Sequence, residues 1–138
     1  MVLKLLLIFL GGGVGACLRF GISLGVRALV AGRDPAPQDE STLALIPLAT
    51  LGVNLLGCFL IGVLMPILTN TGAKEETRLL LVVGLLGGFT TFSAFGYETY
   101  TLLVEHRVWW AIAYALASVV LGVGAVALGH TLGTRLGA

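Results

Sequence analysis

The sequence predicts an all-α membrane protein of four transmembrane helices, the third of them broken at its centre. Three observations predict it. Hydrophobic residues make up 57% of the chain and charged residues only 11%, where a soluble domain carries about 25% charged residues. The mean hydropathy is +1.02, so this much apolar surface requires lipid as its solvent. The apolar residues fall into four runs, and the third holds glycines, hydroxyls and phenylalanines where a plain anchor would hold leucine. A bilayer core of roughly 30 Å takes about 20 residues of helix, so at about 35 residues per helix and connection the chain fits four crossings. Residues 1–138 therefore read as a single four-helix transmembrane domain with no room for a soluble one. A net charge of +1 offers nothing to nucleic acid.

The first span covers about residues 3–29, with Arg19 inside it and Arg27 near its end. Lys4, Leu5–Leu10 and Val14-Gly15-Ala16-Cys17 loosely resemble a lipoprotein leader. Three more apolar spans follow, which argues against cleavage. Asp34-Pro35-Ala36-Pro37-Gln38-Asp39-Glu40 is a loop, because two prolines and three acids cannot sit in lipid. The second span, about 43–68, starts near Pro47, where a helix tolerates proline. Thr69-Asn70-Thr71-Gly72 stops it, and Lys74-Glu75-Glu76 marks water. The third span covers about 79–104, and Glu105-His106-Arg107 turns the chain. The fourth, about 108–132, is led by Trp109 and Trp110, suited to the interfacial aromatic belt.

Three turns put both termini on the side of the second loop. That side carries Lys4, Lys74, Arg78 and Arg135, and the other carries Arg27, Arg33 and Arg107. Four against three is almost no positive-inside bias, which leaves both a single and a dual orientation open. Glycines at four-residue spacing (Gly11 and Gly15, Gly21 and Gly25, Gly84 and Gly88, then Gly129, Gly133 and Gly137) predict tightly packed helices. Cys17 and Cys58 are spaced for neither zinc nor redox chemistry and read as small apolar residues.

Gly87-Gly88-Phe89-Thr90-Thr91-Phe92-Ser93-Ala94-Phe95 is the chemistry-bearing segment. Glycine costs backbone entropy, and threonine and serine compete for backbone hydrogen bonds, so the centre is expected to unwind. Unwound carbonyls at mid-membrane can hold cations. Arg19 and Glu98 are deep charges that cost about 2.5–3.5 kcal/mol each on insertion scales, so each needs a role or a partner, and a salt bridge between them is one. Asn54 brings two donors and an acceptor to a charge-free span, as interhelical glue or as a binding group. Tyr114, Ser118 and Gly122 share one helical face, where hydroxyls form a polar track or bond back to the preceding turn. Phe92 and Phe95 are three apart; such a pair is core packing, or ring edges whose positive quadrupole faces an anion.

These motifs, with Gly12-Gly13-Val14-Gly15-Ala16-Cys17-Leu18-Arg19-Phe20 and Asn54-Leu55-Leu56-Gly57-Cys58-Phe59-Leu60-Ile61-Gly62, resemble the CrcB/Fluc family of fluoride channels over essentially the whole chain. The resemblance implies a fluoride-selective channel for passive efflux and fluoride resistance, not an enzyme. It implies a multi-pass protein of the plasma membrane, the inner membrane in a Gram-negative source. It further implies an antiparallel dual-topology homodimer with two pores, and a structural sodium ion held at its centre by the backbone carbonyls of Gly87 and Thr90. By the same resemblance Asn54, Phe92, Ser93, Phe95, Tyr114 and Ser118 line the fluoride path, and Arg19 and Glu98 are its vestibule and third-helix charges. Ala94 and Gly122 stand where the family often has hydroxyls, which implies a shorter polar track. The alternatives are a small dual-topology drug/proton antiporter, which would need a carboxylate that span one lacks, or a non-transporting membrane assembly subunit.

Overall fold

Lipid gives helices no hydrophobic reason to associate, so their packing depends on how closely backbones can approach. The structure, a computed structural model, describes residues 1–31 and 40–138. It contains α1 (Val2–Ala31), α2 (Glu40–Asn70), α3 (Glu75–Arg78), a π-helical segment π1 (Leu79–Leu86), α4 (Gly87–Phe89), α5 (Phe92–Val104) and α6 (Val108–Leu136). Four stretches are long and apolar enough to cross a membrane: Val2–Val26, Pro47–Asn70, Glu75–Val104 and Val108–Leu136. The four expected spans are therefore present. The expected loop at residues 34–39 lies outside the described residues.

Two glycine seams organise the bundle. Along the first, α1 lies on π1 and α4. A Cβ on Gly15 would strike the Leu85 carbonyl, and one on Gly88 would strike the backbone of Gly12. Along the second, α2 lies on α6, and Gly129 and Gly133 meet the backbone of Phe59 and Val63. Gly62 answers them from α2, against Val126 and His130. The expected glycine pairs thus face neighbouring backbone, except that Gly21 and Gly25, also spaced by four, touch nothing among the described residues of this protomer.

The turns are local in origin. Gly72 adopts φ +61° after α2, as a left-handed helix cap does, and the Ala73 N–H returns to the Leu68 carbonyl. His106 takes the same region, φ 58°, between α5 and α6, and the Arg107 N–H reaches back to Leu102 at 2.8 Å. Lys4 forms an ion pair with Glu75, and Gly137 lies against Ile67 and Asn70. Both termini therefore sit at the end of the bundle that carries the 71–74 turn. The buried cluster at the other end is Leu102, Ala111 and Tyr114, with Leu51 and Phe95 packed on it.

The third span departs from the sequence reading in two ways. Its first half is π-helical over Leu79–Leu86, with the Gly87 N–H reaching the Val82 carbonyl; the expectation was an ordinary α-helix. The expected unwound centre is also narrower. Gly87 and Gly88 are helical, and so are Phe92 and Ser93. Only Thr90 (φ −83°, ψ 158°) and Thr91 (φ −148°, ψ 116°) are extended, within a stretch that runs as one candidate crossing from Glu75 to Val104. The physical reason is the seam: Gly88 is spent on close approach to Gly12 rather than on unwinding. Cys17 is exposed and Cys58 half-buried, and both are free thiols.

The seams give a direct test. Gly88→Val should abolish the monodisperse peak of the detergent-purified protein in size-exclusion chromatography. Gly122→Ser should not, because a Cβ there would lie 3.6 Å from the Cys58 sulfur, ordinary contact. Equal behaviour of the two variants would contradict the packing described.

Candidate functional site

A continuous helix would pair each carbonyl with the N–H four residues on. Two side chains divert those N–H groups at the centre of the third span. The Thr91 N–H, due to Gly87, donates instead to Asn54 Oδ1 at 2.8 Å. The Ala94 N–H, due to Thr90, donates instead to the Thr91 hydroxyl at 3.2 Å, an N-cap for α5. The Gly87 and Thr90 carbonyls lose their helical donors for this reason. Asn54 completes its grip by donating from Nδ2 to the Thr91 carbonyl at 3.1 Å. One amide thus holds both polar groups of a single peptide residue, leaving its second Nδ2 hydrogen unspent.

Around this anchor lies a cavity of about 390 Å³. Asn54, Gly87, Thr90, Phe92, Phe95 and Ser118 all line it, and Thr91, Gly57 and Cys58 complete its polar and narrow side. Gly57 is there because the Thr90 methyl occupies the place of a Cβ. Among the described residues, no Lys, Arg, Asp or Glu lines it. Phe92 and Phe95 lie 5.4 Å apart by ring centroid at 45°, and Phe95 and Tyr114 5.3 Å apart at 53°. The three rings thus form one tilted aromatic cluster at the spacing aromatic pairs favour. Phe92 is nevertheless 82% exposed on the protomer.

Six of the expected site residues therefore meet in one cavity, and four stand apart. Ser93 is exposed, its hydroxyl 3.3 Å from that of Thr91. Tyr114 is buried and donates to Glu98 Oε2 at 2.7 Å. Thr50 donates to the other Glu98 oxygen at 2.6 Å. Arg19 sends Nε to the Gly88 carbonyl at 3.2 Å and lines a separate hollow of about 300 Å³ with Phe20 and Ser23. Arg19 and Glu98 consequently do not form the interhelical salt bridge that was one expectation, because each is held by neutral groups on its own side of the site. The Ser118 hydroxyl is back-bonded to the Tyr114 carbonyl at 2.7 Å, so its proton is already engaged.

Two contributors escaped the sequence reading. Thr50 lies four residues before Asn54, on the same helical face, and that spacing was the available signal. Thr91 stood within the quoted motif with no role assigned, although a threonine three residues before Ala94 fits an N-cap.

Breaking the Asn54 clamp should be costly. Asn54→Leu leaves the Thr91 N–H unpaired, at about 1–3 kcal/mol, and removes the amide donor from a Thr91 carbonyl that keeps its bond within α5. Thr50→Val leaves Glu98 with its Tyr114 bond. Thermal unfolding of the detergent-purified protein should show the larger loss for Asn54→Leu; equal losses would count against the clamp.

Residues 6–130 match the family model described as "CrcB-like protein, Camphor Resistance (CrcB)". The chain is 44% identical over 135 residues to the fluoride-specific ion channel FluC of Chloroflexus aurantiacus, covering 97% of this chain and 98% of the relative. It is 43% identical over 133 residues to that of Thermus thermophilus, covering 96% and 97%. It is 40% identical over 134 residues to that of Solibacter usitatus, covering 96% and 100%.

Proposed function

The chain belongs to the CrcB family, and on that premise we propose that it is a fluoride-specific ion channel giving passive fluoride efflux and fluoride resistance. It is a multi-pass plasma-membrane protein and not an enzyme. The observation that carries the reading within this chain is the cavity that gathers Asn54, Thr91, Phe92, Phe95 and Ser118 with no formal charge in its described lining.

Fluoride is small and holds its water tightly, so a path must replace that water with closely spaced donors. The unspent Nδ2 hydrogen of Asn54 is one, fixed in direction because the rest of the amide is clamped to Thr91. The edges of Phe92 and Phe95 supply a weak positive field without a full charge. Ser118 takes part by turning its hydroxyl off the Tyr114 carbonyl, and Ser93 by turning off Thr91. Tyr114, held by Glu98, closes the Phe95 side. Conduction requires an ion to leave as well as enter, and neutral donors bind it less tenaciously than a lysine or arginine would. Chloride, larger and less strongly served by closely spaced donors, is excluded.

The partner is a second copy in antiparallel orientation. Gly87, Phe92 and Ser93 are exposed on the protomer at the middle of its third span. Irregular backbone at membrane depth needs protein or a polar cavity over it, since lipid offers no hydrogen bonds. The near-balance of basic residues, four against three, suits insertion in both directions. The Gly87 and Thr90 carbonyls would hold the structural sodium ion. The fit is chemical: their helical donors are diverted to Asn54 and Thr91, and neutral oxygens suit a hard monovalent cation. A bound sodium supplies a fixed positive charge between the two copies.

Liposomes carrying the purified protein should release preloaded fluoride, read with a fluoride electrode, while retaining chloride. Trapped fluoride, or chloride leaving equally fast, would sink the channel reading. Phe92→Ile and Phe95→Ile should each lower fluoride flux by about tenfold or more with the dimer intact on size exclusion. Unchanged flux in both would remove the ring-edge mechanism. A reporter fused to the C-terminus should give signal on both sides of the membrane, and signal on one side alone contradicts dual insertion.

A further inference from the structure

Arg19 lies well inside the first span, where a charge without a partner is expensive. Its partner is a backbone carbonyl on another helix: Nε donates to Gly88 at 3.2 Å. That carbonyl would pair with the Phe92 N–H in a continuous helix, and the two extended threonines interrupt that register. Gly88 is also a point where α1 and the third span touch closely, its hydrogen facing the Gly12 backbone. Arg19 therefore caps, from the neighbouring helix, the C-terminal end of the helical run Leu79–Phe89. A basic side chain there satisfies a terminal carbonyl and complements the helix dipole. Asn54 grips the chain from α2, at Thr91. Thr90 is thus suspended between two anchors on two different helices, Gly88 held by α1 and Thr91 by α2.

We propose that Arg19 is a positioning residue for the ion path, and that the hydrogen bond from its Nε to the Gly88 carbonyl, rather than its charge in the vestibule, is what conduction depends on. The inference rests on the channel reading above and goes beyond it, since family resemblance implies only a vestibule charge. The bond fixes the carbonyl two residues before Thr90. It thereby sets where Thr90 and the first turn of α5, with Phe92, stand against the cavity. Either loss, of the donor or of the charge, removes something from the site; the geometry says the donor matters more.

Glutamine and lysine separate the two. In Arg19→Gln the Nε2 amide is attached to Cδ, as Nε is in arginine, so the donor stays and the charge goes. In Arg19→Lys a methylene occupies that place, so the charge stays and no N–H stands where Nε stood. Fluoride efflux from liposomes should be faster for Arg19→Gln than for Arg19→Lys, by about tenfold for the loss of one hydrogen bond. Hydrogen–deuterium exchange over residues 86–95 should be faster in Arg19→Lys than in Arg19→Gln. Flux in Arg19→Lys that equals or exceeds that of Arg19→Gln overturns the proposal and leaves the channel reading standing. Wild-type vesicles that hold their fluoride sink the channel reading instead, and the exchange ranking alone then decides the positioning role. Should Arg19→Lys aggregate, Arg19→Met takes its place: it matches glutamine in charge and lacks the donor, and equal flux and exchange in that pair overturns the proposal.

Discussion

The double hydrogen bond between Asn54 and Thr91 is the interaction on which the rest of the site depends. Its two contacts, at 2.8 and 3.1 Å, replace the helical bond that the Thr91 N–H would otherwise seek and add a second donor to the Thr91 carbonyl. Without it, two extended residues inside a membrane span would leave backbone groups unpaired where lipid offers none, and the segment would be driven back to helix. With it, the Gly87 carbonyl is released, Thr91 is placed as the cap of α5, and one amide hydrogen of Asn54 is left aimed. Serine lacks the acceptor–donor pair at that reach, and an ionised aspartate lacks the donor. Asparagine serves because its amide is the mirror of the peptide it holds.

The glycine seams make that interaction possible. A clamp from α2 to the third span works only if the span is fixed against both neighbours, and fixed closely. Gly15 and Gly88 bring α1 onto backbone, Gly57 gives Thr90 its place, and Gly62, Gly129 and Gly133 bind α2 to α6. Large apolar side chains such as Phe9, Leu18, Trp109 and Val123 instead face outward, toward lipid. The closest helix contacts are made at glycines, while much of the large apolar side-chain surface faces outward. A soluble helical domain is built the other way round.

The four spans were legible because lipid imposes length and composition directly on the sequence. The glycine partners were legible as spacing, although not which helix each would meet. The centre of the third span is less broken than its composition suggested, and the span runs as one candidate crossing from Glu75 to Val104. Glycine propensity pointed to unwinding at Gly87 and Gly88, yet tertiary packing took Gly88 for α1, and the irregular backbone is confined to Thr90 and Thr91. The π-helical segment carried no composition of its own: Leu79–Leu86 is as apolar as any α-helical span. Thr50 was hidden for a different reason. A lone hydroxyl in an apolar helix usually bonds to its own backbone, as Ser118 and Thr99 do here, and only the placement of Glu98 turns Thr50 outward.

The ionisable residues make sense once they are seen as supports. Glu98 receives two hydroxyls, from Thr50 on α2 and Tyr114 on α6, and so ties three helices together beside the Phe95 ring. Arg19 ties α1 to the end of the Leu79–Phe89 run. Both side chains bond to neutral dipoles, which cost less to bring together than a buried ion pair, whose desolvation can exceed its attraction. The cavity is lined by the Asn54 amide, the hydroxyls of Thr90, Thr91 and Ser118 and the Phe92 and Phe95 rings, beside the aliphatic Ile61, Val82, Leu86 and Val119. On the proposed reading, an anion passing there would meet partners strong enough to replace water and too weak to hold it.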